Sequence, residues 1–132
     1  LGRYGQHVGA FLAAGTGSES GPDLKRLLDV LPEGSLAVNL DPGNLVINGF
    51  SASEAARVLA PHVHYVYARD AIRDLARGRG LEVSLGSGTV DFPELLGILE
   101  EHRYGGYFTV NRQSSGDAVT EVAQAIKFLT SI

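Results

Sequence analysis

Gly78 to Val110 reads GRGLEVSLGSGTVDFPELLGILEEHRYGGYFTV, and the reading of this stretch decides the fold. An Arg-Gly loop leads to a Gly-Ser-Gly turn at Gly86 to Gly88. A short acidic entry, Val90-Asp91-Phe92-Pro93, opens an apolar helix. A Gly-Gly turn then feeds the strand Tyr107 to Val110. A block of this kind places loops at the carboxyl end of one parallel strand and restarts the chain into the next.

The same alternation runs outward in both directions. Val8 to Ala14 (VGAFLAA) is apolar and fits a buried strand. Pro22 to Leu31 has helical spacing, with Leu24, Leu27, Leu28 and Leu31 on one face and Pro22 suited to the first turn. Leu36 to Leu40 fits a second strand. Ser51 or Ser53 can cap a helix carrying Ala55, Ala56, Val58 and Leu59, which Pro61 ends. Val63 to Ala68 (VHYVYA) fits a third strand, followed by a long polar segment, Arg69 to Gly88. Pro93 to His102 is a third helix and Tyr107 to Asn111 a fourth strand. Asp117 to Leu129 is a last helix, with Val119, Val122, Ala123, Ile126 and Leu129 predicted to face inward. Four strands, each followed by a helix, imply parallel pairing with right-handed crossovers. Two architectures satisfy this: a small open doubly wound sheet, or half of an eight-stranded barrel whose whole length is about 250 residues. In both, functional loops lie beyond the carboxyl ends of the strands, here beginning at Gly15, Asp41, Arg69 and Asn111.

Composition narrows the function. The 132 residues carry a net charge of −4, which argues against binding nucleic acid or an anionic membrane through bulk charge. The absence of cysteine removes disulfides and thiolate metal sites. No run approaches the apolar length of a membrane span, and no signal-peptide pattern opens the chain. The chain starts at Leu1 and contains no Met, which leads us to expect a piece of a longer protein.

The strand ends carry a family resemblance. They read AAGTGSES (Ala13 to Ser20), NLDPGN (Asn39 to Asn44) continuing to Asn48-Gly49-Phe50, YARD (Tyr67 to Asp70) followed by GRG and GSGTVDFPELL, and GYFTVNR (Gly106 to Arg112). Together they resemble the C-terminal half of the sugar phosphate isomerase/epimerase family, the xylose isomerase-like barrels, over nearly the whole chain. The resemblance implies an α/β fold: residues 1–132 as one domain segment holding four βα units, strands five to eight of a (β/α)8 TIM barrel. It implies metal-assisted isomerisation or epimerisation of a sugar or sugar phosphate, a cytoplasmic location, and the N-terminal half of the same barrel as partner, with a homo-oligomer as a further expectation.

In the epimerase branch a Glu after strand five, an Asp after strand six, a His on strand seven and a Glu on strand eight hold one divalent ion, Mn, Co, Mg or Zn. The two Glu also exchange the proton, while the metal stabilises the enediolate. Only Asp41 matches that set here. The strand-five Glu position is Gly15, the strand-seven His position is Tyr67 and the strand-eight Glu position is Asn111. We therefore expect a weak or absent metal site, and a second reading of the chain as a catalytically silent barrel that binds or scaffolds. Asn44, Arg79 and Arg112 are the candidate substrate-binding residues. Arg79 resembles the Arg that reaches substrate hydroxyls, and Arg112 could hold a carboxylate or phosphate.

Each residue also has a plainer role. Asp41 can cap the turn that Pro42 and Gly43 begin. Asp70 is expected to pair with Arg69 or Arg73 on a solvated face, with orientation of a strand-seven side chain as the other reading. Arg79 can be a loop surface residue, Arg112 part of an ion pair, and Ser87 a turn residue. His62 and His64 share one side of their strand but lie near its amino end, and with His7 and His102 they form no expected metal site. Ser18 and Ser20 lack a His/Asp arrangement for a hydrolase. Gly15-Thr16-Gly17 lacks the spacing of a phosphate cradle.

Overall fold

A computed structural model describes Tyr4, His7 and residues 12–74, 79–110 and 117–132. Four parallel strands form one sheet: β1 (Ala13–Gly15), β2 (Ala37–Leu40), β3 (Val63–Ala68) and β6 (Phe108–Val110), in that spatial order. In sequence between β3 and β6, the chain forms a separate antiparallel pair, β4 (Asp70–Asp74) with β5 (Arg79–Val83). The helices are α1 (Gly21–Val30), α2 (Pro42–Ile47), α3 (Ala52–Leu59), α4 (Phe92–Glu101) and α5 (Ala118–Ser131). This is the alternating strand–helix order expected from the sequence, except that the turn read at Pro42-Gly43-Asn44 opens an additional short helix, α2. Within the described residues β1 begins at Ala13, and residues 8–11 of the first predicted strand lie outside them.

The caps explain where each helix starts. Ser20, Asp41, Ser51, Asp91 and Asp117 each accept a hydrogen bond from the backbone N–H three residues on, the N-cap geometry that satisfies an otherwise unpaired donor. Of the two predicted caps for α3, Ser51 fills the role; the Ser53 hydroxyl instead donates to Glu94 on α4 at 2.9 Å. Pro61 falls inside a single 3₁₀ turn, Ala60–His62, which delivers the chain into β3.

The core lies between one face of the sheet and the helices. Val38, Leu40 and Val66 from the strands meet Leu24, Leu28, Leu45, Ala55, Ala56, Leu59, Phe92, Leu95 and Leu99 from the helices. Burying each large side chain of this set contributes about 1.5–3 kcal/mol. The opposite face of the sheet carries Asn39, Tyr65, Tyr67 and Thr109, with Gly15 level with Asn39 and Asn39 with Tyr65.

Three expectations need correction. Arg69 to Gly88 is not simply a polar connection: its ends pair as the β4–β5 hairpin, which packs against α2. On α1, Leu24 and Leu28 are buried, but Leu27 and Leu31 are exposed. On α5, Ala125 is buried and Phe128 and Leu129 reach the core, whereas Val119 and Ile126 are 82% and 52% exposed and Ala123 is also exposed. The reason is common to both helices. Within these residues β1 and β6 each have a strand neighbour on one side only, so the sheet described covers one flank of each of these helices. No helix among the described residues is long and apolar enough to cross a membrane.

Candidate functional site at the carboxyl ends of the strands

Parallel pairing brings the loops after β1, β2 and β3 together, and hydrogen bonds lock them. Thr16, just past β1, is buried. Its hydroxyl accepts from the Asp41 N–H at 2.9 Å and donates to the Asp41 carbonyl at 3.3 Å. The Asn44 amide returns the contact by donating to the Thr16 carbonyl at 2.9 Å. The Asn44 amide nitrogen, predicted to bind substrate, is thus engaged in tying two loops.

Asp41 fills its predicted capping role and also makes an ion pair that the sequence reading did not include. One carboxylate oxygen accepts from the Asn44 N–H at 2.9 Å, the capping role. The other accepts from the Arg69 guanidinium at 2.7 Å. Arg69 also reaches Glu82 on β5, with Nε donating at 3.1 Å and Nη2 at 2.5 Å to the same oxygen. The three side chains are 11%, 9% and 6% exposed for Arg69, Asp41 and Glu82. Burial works to lower the Arg69 pKa, but the hydrogen bond to Glu82 and the charges of Asp41 and Glu82 overcome it and raise the pKa above its ordinary value. The guanidinium is therefore permanently charged. Gly43 permits the approach: a Cβ there would sit 2.9 Å from the Arg69 Cβ and 3.0 Å from its carbonyl carbon. Neither the Arg69–Asp41 pair nor Glu82 is marked in the sequence, because 28 and 13 residues separate the partners and only the β2–β3 and β4–β5 pairings bring them together.

Asp70 corrects the sequence expectation. It is 1% exposed and pairs with neither Arg69 nor Arg73. Its carboxylate accepts from the backbone N–H groups of Ala71 (2.8 Å), Gly86 (3.0 Å), Gly88 (2.9 Å) and Val90 (3.1 Å). The Gly-Ser-Gly turn is wrapped around this one buried anion. Ser87 takes the turn role expected of it, its N–H donating to the Ser84 carbonyl at 2.9 Å.

The positions matched to lost metal ligands are arranged as follows. Gly15 ends β1, and nothing lies within 4 Å of where its Cβ would stand. Tyr67 lies on the face of β3 away from the helices, its ring edge-on to Tyr65 at 5.4 Å between centroids. Tyr65 accepts a hydrogen bond from Thr109 at 2.6 Å. Asn39, on the same face, has a buried Oδ1 with no partner among the described residues. Asn111 and Arg112 lie outside the described residues, as does the side chain of Arg79, whose backbone pairs with Asp74 in β5.

The donor set does not fit a divalent ion of the kind the resemblance implies. Glycine offers no ligand at position 15, and at position 67 a phenol replaces the imidazole that suits such an ion. Asp41 is already bound to a cation. Among the described residues no three His, Asp or Glu side chains gather to hold a metal. His62 and His64 lie at the opposite end of the sheet, beside a cavity of about 480 Å³ lined also by Lys25, Asp29 and Ser35. His7 is exposed, and His102 Nδ1 lies 2.9 Å from the Ile98 carbonyl in its own helix.

Comparison with known proteins agrees with this architecture. A xylose isomerase domain protein from Planctomyces limnophilus superposes with a TM-score of 0.86 at 28% identity, over 98% of this chain and 49% of that one. A xylose isomerase-like TIM barrel protein from Mycobacterium smegmatis, solved in complex with magnesium, gives a TM-score of 0.78 at 18% identity, over 98% and 46%. Among curated proteins, the inosose dehydratase of Bacillus thuringiensis is 22% identical over 96% of this chain and 48% of its own length. The chain thus spans about half the length of the curated relatives it matches. The model of the xylose isomerase-like TIM barrel family matches residues 4–132, and the chain belongs to that family.

Proposed function

We propose that this chain forms one wall of a barrel that binds a sugar or sugar phosphate, and that this wall recognises the ligand without supplying metal-assisted proton transfer. The observation that carries the reading is the state of Asp41: one oxygen caps α2 and the other holds Arg69. Enediolate chemistry needs an acid, a base and a stabilising charge at the reacting carbon. Gly15 has no proton to exchange. Neither the Asn111 amide nor the Tyr67 phenol supplies the carboxylate that such proton exchange uses.

Recognition is better supported. The face of the sheet away from the helices carries the Asn39 acceptor, two tyrosines and the Thr109 hydroxyl, groups suited to the hydroxyls and apolar ring faces of a sugar. Arg79 and Arg112 are the proposed contacts to hydroxyl and phosphate oxygens. Asn44 belongs with them through the loop it ties in place. The proposed partner within the protein is the N-terminal half of the barrel. The parent isomerase or epimerase reading stands as the second, favoured by the likeness to a solved 3-keto-D-glucoside 4-epimerase from E. coli. It requires acid–base groups from the rest of the polypeptide.

One experiment separates the two. The full-length protein is incubated with ketoses and ketose phosphates in D2O, with and without EDTA, while binding is followed by calorimetry. Binding without solvent deuterium entering the ligand is the expected result. Deuterium incorporation would establish the enzyme reading, and absence of any sugar binding would remove both.

A further inference from the structure

The Asp41–Arg69–Glu82 triad has the form of an occupied cation site. Two carboxylates from different strand ends converge on a single positive group, and all three side chains are at least about nine-tenths buried. Three of the five guanidinium N–H groups are committed to them. We propose that Arg69 is the resident cation of this site, standing where a divalent ion would otherwise engage Asp41, and that its removal opens the site to one. This rests on Asp41 as the residue matched to the metal position, and it deepens the reading of a barrel that works without metal.

The physical argument is one of competition. A divalent ion that binds through oxygen takes carboxylate ligands at about 2.0–2.6 Å, and here it would have to displace bonds from a charge tethered to the chain. A guanidinium cannot be deprotonated to make room, since Asp41 and Glu82 raise its pKa still further. It also cannot withdraw easily. Arg69 lies directly after β3, and its backbone and Cβ are pressed against Gly43 on α2. An ion entering beside it would meet like charge in a site with little water to screen it. A simple structural ion pair would give the same contacts. What distinguishes the proposal is that losing Arg69 should produce an appetite for metal rather than only a loss of stability.

The test uses thermal melts of the full-length protein in EDTA and in MnCl2, for wild type, Arg69→Ala, Arg69→Gln and Arg69→Ala/Asp41→Asn, with no sugar present. Wild type should show no Mn2+-dependent change. Arg69→Ala should melt lower in EDTA and recover by about 5 °C or more once Mn2+ exceeds its Kd about 100-fold. The Asp41→Asn change should abolish that recovery. A folded Arg69→Ala or Arg69→Gln protein indifferent to Mn2+ would overturn the proposal. If neither variant folds, Arg69→Met, which keeps the bulk of the side chain without its charge, is melted in the same way: Mn2+-dependent recovery upholds the assignment, and indifference to Mn2+, or Mn2+ binding by wild type that depends on Asp41, overturns it. Because the melts contain no sugar, their outcome is independent of whether the barrel binds one.

Discussion

Replacing Asp70 tests the most consequential local feature of the fold. The carboxylate gathers four backbone N–H groups, and three of them, from Gly86, Gly88 and Val90, lie 16 to 20 residues away in sequence. Hydrogen bonds to a charged acceptor are worth about 1.5–3 kcal/mol each, so three represent a gross of about 5–9 kcal/mol. Part of this is recoverable, because Gly86 is exposed and its N–H can turn to water, whereas Val90 is buried. We therefore expect Asp70→Ala to cost about 3–4 kcal/mol. Asp70→Asn is the sharper perturbation. It keeps the shape, but an amide has one acceptor oxygen where the carboxylate has two, and its NH2 must face either the Ala71 and Val90 donors or those of Gly86 and Gly88. A cost of about 2–3 kcal/mol is expected for it. Urea denaturation of the full-length protein gives the energies. Hydrogen exchange at Gly86, Gly88 and Val90 gives the location, and all three amides should lose protection together. If Asp70→Asn costs less than about 1 kcal/mol while Arg73→Ala costs as much as Asp70→Ala, the surface ion-pair reading of Asp70 would be right and the reasoning here refuted.

Further expectations follow from the same structure. Gly88→Ala should destabilise by about 2–4 kcal/mol in denaturant melts, since its Cβ would land on the Asp70 carboxylate and the Ala71 carbonyl. Gly15→Ala should change stability by less than about 1 kcal/mol, because its Cβ enters open space; a large loss would show that the end of β1 is packed against something. Asp117 caps α5, and its hydrogen bonds to the Thr120 hydroxyl and N–H lower its pKa below the ordinary 3.8. A lowered folded-state pKa means that the cap contributes fully above the unfolded value and is lost as pH falls through the folded one. The amino-terminal turn of α5 should fray only in that acid range, visible as loss of Thr120 amide protection, and Asp117→Asn should remove the pH dependence of that fraying.

Some of this protein is written in single residues. A Ser or Asp one step before an apolar run can satisfy the first unpaired N–H groups of a helix with no help from elsewhere, so Ser51 and the Asp117 helix were legible in the sequence. The strand–helix alternation was legible for a similar reason: periods of two and 3.6 are local properties of a chain that must bury one face. The substitutions at Gly15, Tyr67 and Asn111 were visible once the motifs around them were read. Burial on α1 and α5 was not, because periodicity marks an apolar stripe without saying what covers it, as Val119 and Ile126 show. The charges were least legible of all. Asp70 and Arg69 are adjacent, oppositely charged residues in YARD, and sequence proximity invites pairing one with the other or with Arg73. At the end of a strand, however, successive side chains leave in opposite directions. Arg69 therefore turns to Asp41 and Glu82, while Asp70 is delivered to the amides of a turn folded back over it. The residue types settle which groups need partners; the order of strands in the sheet settles which partners they meet.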